Sequence, residues 1–267
     1  MTPSSHATRT FPTPNLTSRR LRLTLGYRGT AYAGWAVQSP SRTRGRSTLQ
    51  GTLEAALEQA LGHPVRVTAA GRTDAGVHAE AQVVSFDTTS SISVDGLRRV
   101  MDRWLPGDLW LVEASEVTAD FNARYAARRR WYRYAIWRSG VPPAAWQGRC
   151  LASHERLDVS AMRQAARALI GRHDFASLAP RPPAGESTVR TVFAADWLER
   201  DAQLLIFEIC ADAFLKQMVR TIVGGLIWVG TTRWTAQQFA TSLATADRRA
   251  AGPTAPAAGL TLHRIEY

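Results

Sequence analysis

The chain has 267 residues and a mass of 29.4 kDa, which is long enough to bury a large hydrophobic core. Hydrophobic residues make up 45% of the sequence and charged residues 21%, so intrinsic disorder is excluded as an overall class. The formal net charge of +11 and the sequence pI of about 10.8 indicate a polyanionic partner.

Apolar residues recur with strand-like and helix-like periods, which predicts alternating strands and helices along the chain. Strands are predicted at residues 21–27, 65–69, 81–86, 109–117, 131–137, 189–197, 204–210 and 260–267. Helices are predicted from the capping-box residues 47–50 to Gly62 and at residues 96–104, 158–171, 214–229 and 236–244. Segment 38–46, rich in Ser, Arg, Pro and Gly, predicts an exposed loop.

These elements predict an α/β (α+β) fold of two similar-sized lobes. The strand spacing allows hairpins, and therefore a mixed or antiparallel central sheet flanked by helices. A boundary near Pro142 and Pro143 divides the chain into an N-terminal lobe at 21–145 and a C-terminal lobe at 146–267. Residues 1–20 lack the apolar centre of a signal peptide and are predicted to form a disordered tail.

The spacing of the cysteines and the length of the apolar runs indicate the cellular compartment of the protein. Cys150 and Cys210 lie far apart with no CxxC spacing, which excludes a disulfide scaffold and a cysteine-based zinc ribbon. No run approaches the roughly 18 apolar residues that span a bilayer. We therefore expect a cytoplasmic protein with no membrane partner.

Segment 71–78 places a carboxylate, a guanidinium, a hydroxyl and an imidazole between glycines. Because glycines let a loop turn sharply and approach a ligand, Asp74 is the candidate catalytic carboxylate, with Arg72 beside it. The alternative is an Asx turn in which Asp74 caps its own backbone. A metal site at Asp74 and His78 lacks a third ligand at a recognisable spacing, so we predict no metal.

Segment 124–134 interleaves five arginines with aromatic residues, a composition suited to contacting phosphates and stacking bases. In a strand, Tyr132 and Tyr134 would share one face, while Trp131 and Arg133 would share the other. One tyrosine is therefore expected to face a cleft. The alternative is a solvated edge strand whose aromatic residues enter the core.

The predicted helix at 214–229 is apolar on nearly all sides and should be mostly buried. Lys216 and Arg220 lie four residues apart, on one face of that helix. A buried guanidinium requires a carboxylate or a ligand, because an unpaired buried charge is costly. We therefore predict that Arg220 pairs with Asp74, contacts a ligand, or does both.

Motifs across residues 21–267 resemble those of the tRNA pseudouridine synthase A family. The most specific match is the catalytic-aspartate motif at residues 70–79, followed by Gln82 and Val83. Supporting matches occur in the family order at residues 27–35, 105–108, 120–124, 132–134, 174–175, 213–224 and 259–260.

The resemblance implies a two-lobed pseudouridine synthase fold, a homodimer, and isomerisation of uridine without cofactor or metal. It also implies a substrate site in the anticodon stem-loop of tRNA, at tRNA positions 38–40. Asp74 matches the catalytic aspartate and Arg72 the arginine that enters the RNA helix. Tyr132 matches the tyrosine beside the target base, and Arg220 the arginine near the carboxylate. Further substrate-binding residues are predicted to be Thr73, His78, Arg124, Arg133 and Lys216.

Two other function classes fit parts of the sequence. A non-catalytic RNA-binding or chaperone-like protein would share the positive charge and the arginine–aromatic segment. A metal-dependent nuclease would use Asp74 and His78. For an isomerase, the sequence leaves open whether Asp74 stabilises the electron-poor sugar, attacks its C1′, or removes a sugar proton.

Overall fold

The computed structural model describes residues 18–180, 185–245 and 247–267, in which the backbone forms ten strands and six α-helices. The strands are β1 (Arg19–Tyr27), β2 (Thr68–Ala69), β3 (His78–Thr88), β4 (Leu109–Val117), β5 (Arg129–Trp137), β6 (Leu151–Ala152), β7 (Gly171–Asp174), β8 (Val189–Glu199), β9 (Leu204–Ala211) and β10 (Leu260–Glu266). The helices are α1 (Pro40–Thr43), α2 (Leu49–Leu61), α3 (Val94–Trp104), α4 (Val159–Ala166), α5 (Met218–Gly230) and α6 (Ala236–Ala244). Short 3-10 turns occupy Gly29–Ala31, Arg167–Leu169, Ala176–Leu178, Arg248–Ala250 and Ala257–Gly259.

All ten strands belong to one sheet. Its main path is β4–β1–β3–β10–β5–β9–β8–β7, with β2 paired to β3 and β6 paired to β5. The β3–β10 and β5–β6 pairs are parallel and the others antiparallel, which confirms the mixed sheet. β10 belongs to the predicted C-terminal lobe but lies between β3 and β5 of the predicted N-terminal lobe. Main-chain pairing therefore joins the two halves, and the division at 145/146 stays a prediction.

The main hydrophobic core lies between the sheet and its helices. Strand alternation on β1 turns Leu23 and Leu25 into this core, where the leucines of α2 join them. On β5, Tyr132 and Tyr134 enter the same core, whereas Ala135, the next residue along the strand, belongs to a smaller cluster on the opposite sheet face. Helices α2 and α3 pack together, as do α4, α5 and α6. Within the described ranges, no helix has the length and apolarity that crossing a membrane requires.

The ends of the strands differ in detail from the prediction. β4 has the predicted bounds, Leu109–Val117. β3 begins at His78, three residues before the predicted start, so that histidine lies in a strand. Within the predicted loop 38–46, the structure forms the short helix α1. The predicted tail at 1–20 lies mostly outside the described residues, and β1 already begins at Arg19.

Two helices begin later than the sequence predicts. The cap of α2 is Thr48, one residue after the predicted start. Helix α5 begins at Met218, because Gln217 has φ 61°, in the left-handed region that a right-handed helix does not include. The prediction that Lys216 shares a helical face with Arg220 is therefore wrong, since Lys216 precedes the helix.

Gly224 allows α5 to pack directly against the segment that leads to β10. A Cβ on Gly224 would lie 1.8 Å from the main-chain oxygen of Pro253. Alanine would gain about 1 kcal/mol of helix propensity, but such overlap forces backbone apart at a cost of about 1–3 kcal/mol or more. We expect Gly224→Ala to lower the free energy of unfolding by about 1–2 kcal/mol, measured by urea denaturation.

Gly107→Ala is the matched control, because no heavy atom lies within 4 Å of its added Cβ. Its free energy of unfolding should stay within about 0.5 kcal/mol of the native value. A Gly224→Ala protein as stable as the native chain would contradict the close packing of α5.

Candidate active site

The loop between β2 and β3 carries Asp74, and neighbouring groups fix its backbone. Trp35 N–H donates to the oxygen of Thr73 at 3.0 Å. The Thr73 hydroxyl lies 2.8 Å from the Tyr27 hydroxyl in a buried contact. Val77 N–H donates to the main-chain oxygen of Asp74 at 3.1 Å, so the main chain closes the turn and the carboxylate remains available for other contacts.

Gly34 brings a second segment against this loop. Its φ of +104° lies in the left-handed region, which favours glycine. A Cβ at this position would lie 3.0 Å from Thr73 O and 3.1 Å from Ala75 N, the residues on either side of Asp74. A side chain here would therefore press on the backbone that holds the carboxylate.

Asp74 and Arg220 form a partly buried ion pair. Arg220 Nη1 donates to Asp74 Oδ2 at 3.2 Å, and the two side chains are 16% and 22% exposed. Arg220 Nε also donates to the main-chain oxygen of Ala255 at 2.8 Å, which fixes the direction of the guanidinium. The pairing predicted from the buried arginine is confirmed, and the carboxylate keeps a solvent-accessible side.

Tyr132 lies beside this pair on the same sheet face as the core. Its side chain is buried, and its ring meets Phe214 edge to face at a centroid distance of 5.1 Å. A Cβ on Gly71 would lie 3.8 Å from the Tyr132 hydroxyl, which places that hydroxyl next to the Asp74 loop. Burial raises the pKa of Tyr132, the positive charge of Arg130 opposes this rise, and the negative charge of Asp74 adds to it. The phenol therefore stays protonated at neutral pH.

Three of the predicted substrate-binding residues are exposed and therefore free to meet a polyanion. Arg72 lies on the Asp74 loop, two residues before the carboxylate. Arg124 is exposed beside Tyr125, with its guanidinium 5.5 Å from that ring. Lys216 is exposed in the turn before α5. All three have the accessibility that phosphate contacts require.

The other three predicted contacts lie in different surroundings. His78 is 1% exposed, and its Nδ1 accepts the Gly29 N–H at 3.3 Å; burial lowers the pKa of this imidazole. Thr73 is buried against Tyr27. Arg133 Nε donates to Glu208 Oε2 at 2.7 Å, on the face opposite Tyr132. These three side chains therefore contact protein groups in the structure, and their contact with a substrate stays a prediction.

Asp74 and His78 do not share the arrangement that a metal site would require. The Asp74 carboxylate pairs with Arg220, while His78 packs against Gly29. Across residues 18–180, 185–245 and 247–267, no three His, Cys, Asp or Glu side chains cluster closely enough to hold a metal ion. The contacts of Asp74 are those of a guanidinium-bound carboxylate.

Sequence reasoning missed two residues that support the site. Gln82 is fully buried and its Nε2 donates to Gly71 O at 2.7 Å, in the loop that carries Asp74. Arg130 Nε donates to Ala70 O at 3.1 Å, one residue earlier. Gln82 belongs to the motif that carries the family resemblance. Arg130 was grouped with the phosphate-contacting arginines of segment 124–134, because composition does not distinguish buried from exposed guanidinium groups.

The assembled site combines an oriented carboxylate, an aromatic ring and an accessible positive rim. A negative oxygen at Asp74 can stabilise, attack or deprotonate an electron-poor sugar. The Tyr132 ring provides an apolar surface near that oxygen. Arg72 and Arg124 add positive charge at the accessible edge.

Comparisons with known proteins agree with this chemistry. A family profile described as tRNA pseudouridine synthase matches residues 25–126 and 165–267, more than half of the chain. The tRNA pseudouridine synthase A of Moorella thermoacetica is 41% identical over 247 residues, which are 92% of this chain and 99% of that protein. The corresponding protein of Chloroflexus aurantiacus is 43% identical over 254 residues, or 93% of this chain and 89% of that protein.

Among solved structures, a Cbf5–Nop10–Gar1 complex aligns with 78% of this chain and 44% of the matched chain, at 12% identity and a TM-score of 0.31. The profile match and the relatives at 41% and 43% identity decide the family. The chain belongs to the tRNA pseudouridine synthase family.

Proposed function

We propose that this chain isomerises uridine to pseudouridine in tRNA, with Asp74 as the catalytic carboxylate. The observation that carries the proposal is the Asp74–Arg220 ion pair, 3.2 Å long, set in a fixed loop beside Tyr132. Two segments 146 residues apart in sequence build this contact. It supplies an oriented anion where a ribose can approach.

The reaction breaks the N1–C1′ glycosidic bond, rotates the uracil and joins C5 to C1′. The C5 proton leaves and N1 gains a proton, so there is no net oxidation or reduction. As the first bond breaks, the sugar becomes electron-poor, and Asp74 can stabilise it, bond to C1′ or remove a neighbouring proton. All three roles need the carboxylate within contact distance of the ribose.

Tyr132 is proposed to act on the uracil base of the substrate, and Arg220 is proposed to act, through Asp74, on its sugar. The Tyr132 ring would stack on the detached uracil and keep it in place for rejoining. Because the phenol stays protonated at neutral pH, its hydroxyl would donate a hydrogen bond to the base rather than take up the C5 proton. Arg220 would hold Asp74 toward the sugar through its second bond to Ala255. Both roles follow from side chains that are already positioned without substrate.

A uridine inside a stem must leave the stack, at a cost of a few kcal/mol. Arg72 is exposed next to the Asp74 turn and is proposed to fill the vacated position. Exposed Arg124 and Lys216 are proposed to contact phosphates, which would make binding salt-sensitive. Membership of the family further supports, as proposals, the anticodon stem-loop as target, a homodimer and a cytoplasmic location.

The test is tritium release from tRNA labelled at uridine C5, because joining C5 to C1′ expels that hydrogen. We expect the native protein to release label, with or without EDTA, and to yield pseudouridine on nucleoside analysis. Binding of tRNA without release would support the non-catalytic RNA-binding alternative. Chelator-sensitive strand cleavage would support the nuclease. Transcripts with cytidine at single anticodon-stem positions would identify the target uridines.

A further inference from the structure

Arg130, the second residue of β5, is held by main-chain oxygens. Its guanidinium makes five hydrogen bonds, and every acceptor is a backbone carbonyl. Nε and Nη2 both donate to Ala70 O, at 3.1 and 3.0 Å. Nη2 also donates to Arg124 O at 2.9 Å, and Nη1 donates to Ala127 O at 3.3 Å and to Asp212 O. One side chain thus joins three separate segments to β5.

Asp212 contacts the Arg130 guanidinium through its main-chain oxygen, whereas its carboxylate accepts hydrogen bonds from main-chain amides. Its Oδ1 accepts from Thr191 N–H at 3.1 Å and from Ala213 N–H at 2.6 Å. Burial lowers the pKa of Arg130, although a guanidinium remains charged in proteins. The dipoles of the main-chain carbonyls thus stabilise the Arg130 guanidinium in its partly buried position. An apolar residue would fill that space but could not satisfy these oxygens.

The joined segments carry the residues proposed to act in the reaction. Ala70 lies four residues before Asp74, and Asp212 precedes the turn that leads to Arg220. Arg130 and Tyr132 lie two residues apart on the same strand face. The guanidinium is therefore the point at which the Asp74 loop, the approach to α5 and the Tyr132 strand are held together.

We propose that Arg130 is a positioning residue that sets Asp74 and Arg220 relative to Tyr132. The inference rests on the proposed isomerase function and deepens it. Because a displacement of about 1 Å in a reacting group can cost about 100-fold in rate, loss of this junction should slow the chemical step. Binding of tRNA depends on exposed arginines and should change little.

The experiment compares Arg130→Gln and Arg130→Lys with the native chain in single-turnover tritium release at saturating protein, together with tRNA affinity and thermal melting. For Arg130→Gln we expect a rate about 100-fold lower, with a tRNA Kd within about threefold of the native value. Arg130→Lys keeps the charge and part of the hydrogen bonding, so its rate should be about tenfold higher than that of Arg130→Gln.

Arg138→Gln is the matched control, since Arg138 follows the opposite end of β5. Its side chain is 18% exposed and donates to Asp201 O at 3.1 Å, away from the Asp74 loop. We expect this variant to lower the melting temperature without slowing the saturating rate. It therefore separates loss of stability from loss of positioning.

An Arg130→Gln protein with the native saturating rate would overturn the inference, as would a weaker Kd at an unchanged rate, which would make Arg130 an RNA contact. An equal rate loss in Arg138→Gln would also overturn it. If Arg130→Gln does not fold, Arg130→Lys decides the question by the same rate and Kd criteria. Absence of release by the native chain would instead reject the proposed function.

Discussion

Asp74→Asn should reduce tritium release by at least about 10⁴-fold, because the amide removes the anion from every role considered for this residue. Asparagine retains nearly the same shape, and its oxygen can still accept from Arg220. The ion pair is only partly buried, so the free energy of unfolding should change by no more than about 1 kcal/mol. Affinity for tRNA should be kept, since a negative charge near the phosphates is lost.

Single-turnover release, tRNA binding and urea denaturation measure these three quantities on the same preparation. Asp102→Asn is the control, because it makes the same chemical change on the exposed surface of α3. It should release label at the native rate. Release by Asp74→Asn above a tenth of the native rate would remove Asp74 from the mechanism.

Arg220→Met should lower the rate of release by about 10²–10³-fold, the effect of removing one oriented donor from a reacting centre. Methionine fills similar space but leaves Asp74 without its guanidinium and Ala255 O without its donor. Arg220→Lys keeps the charge but lacks the planar fork that serves both acceptors, so we expect an intermediate rate. The saturating rate should fall more than the affinity for tRNA.

Arg233→Met is the control for Arg220→Met. Arg233 follows the C-terminal end of α5 and pairs with Glu155 at 2.9 Å, where both side chains are largely exposed. Loss of an exposed pair costs about 0–1 kcal/mol of stability and should leave release unchanged. If Arg220→Met released label at the native rate, the orienting role of Arg220 would be wrong.

The sequence allowed the contact between Asp74 and Arg220 to be predicted, although 146 residues separate them. The reasoning rested on the cost of an unpaired guanidinium in an apolar helix. Strand alternation likewise predicted that Arg133 faces away from Tyr132, yet Arg133 was still grouped with the substrate contacts. The structure favours the alternation rule, because Arg133 pairs with Glu208 on that other face.

Other features depend on contacts that local patterns do not reveal. Helix α5 starts later than predicted because the backbone at Gln217 is left-handed. Glutamine carries no strong turn signal, so the sequence does not predict this conformation. The five carbonyl contacts of Arg130 come from three segments whose proximity only the folded sheet creates. The position of β10 between β3 and β5 is also a long-range property, since its own residues predict a strand but not its neighbours.

The place of β10 has a consequence for how the protein is made. Residues 260–266 are synthesised after every other strand, yet they separate β3, which follows the Asp74 loop, from β5, which carries Tyr132. While the ribosome is still translating earlier codons, β3 and β5, which flank the proposed catalytic centre, have no strand between them to pair with. The proposed catalytic centre can therefore be completed only after translation has passed this segment.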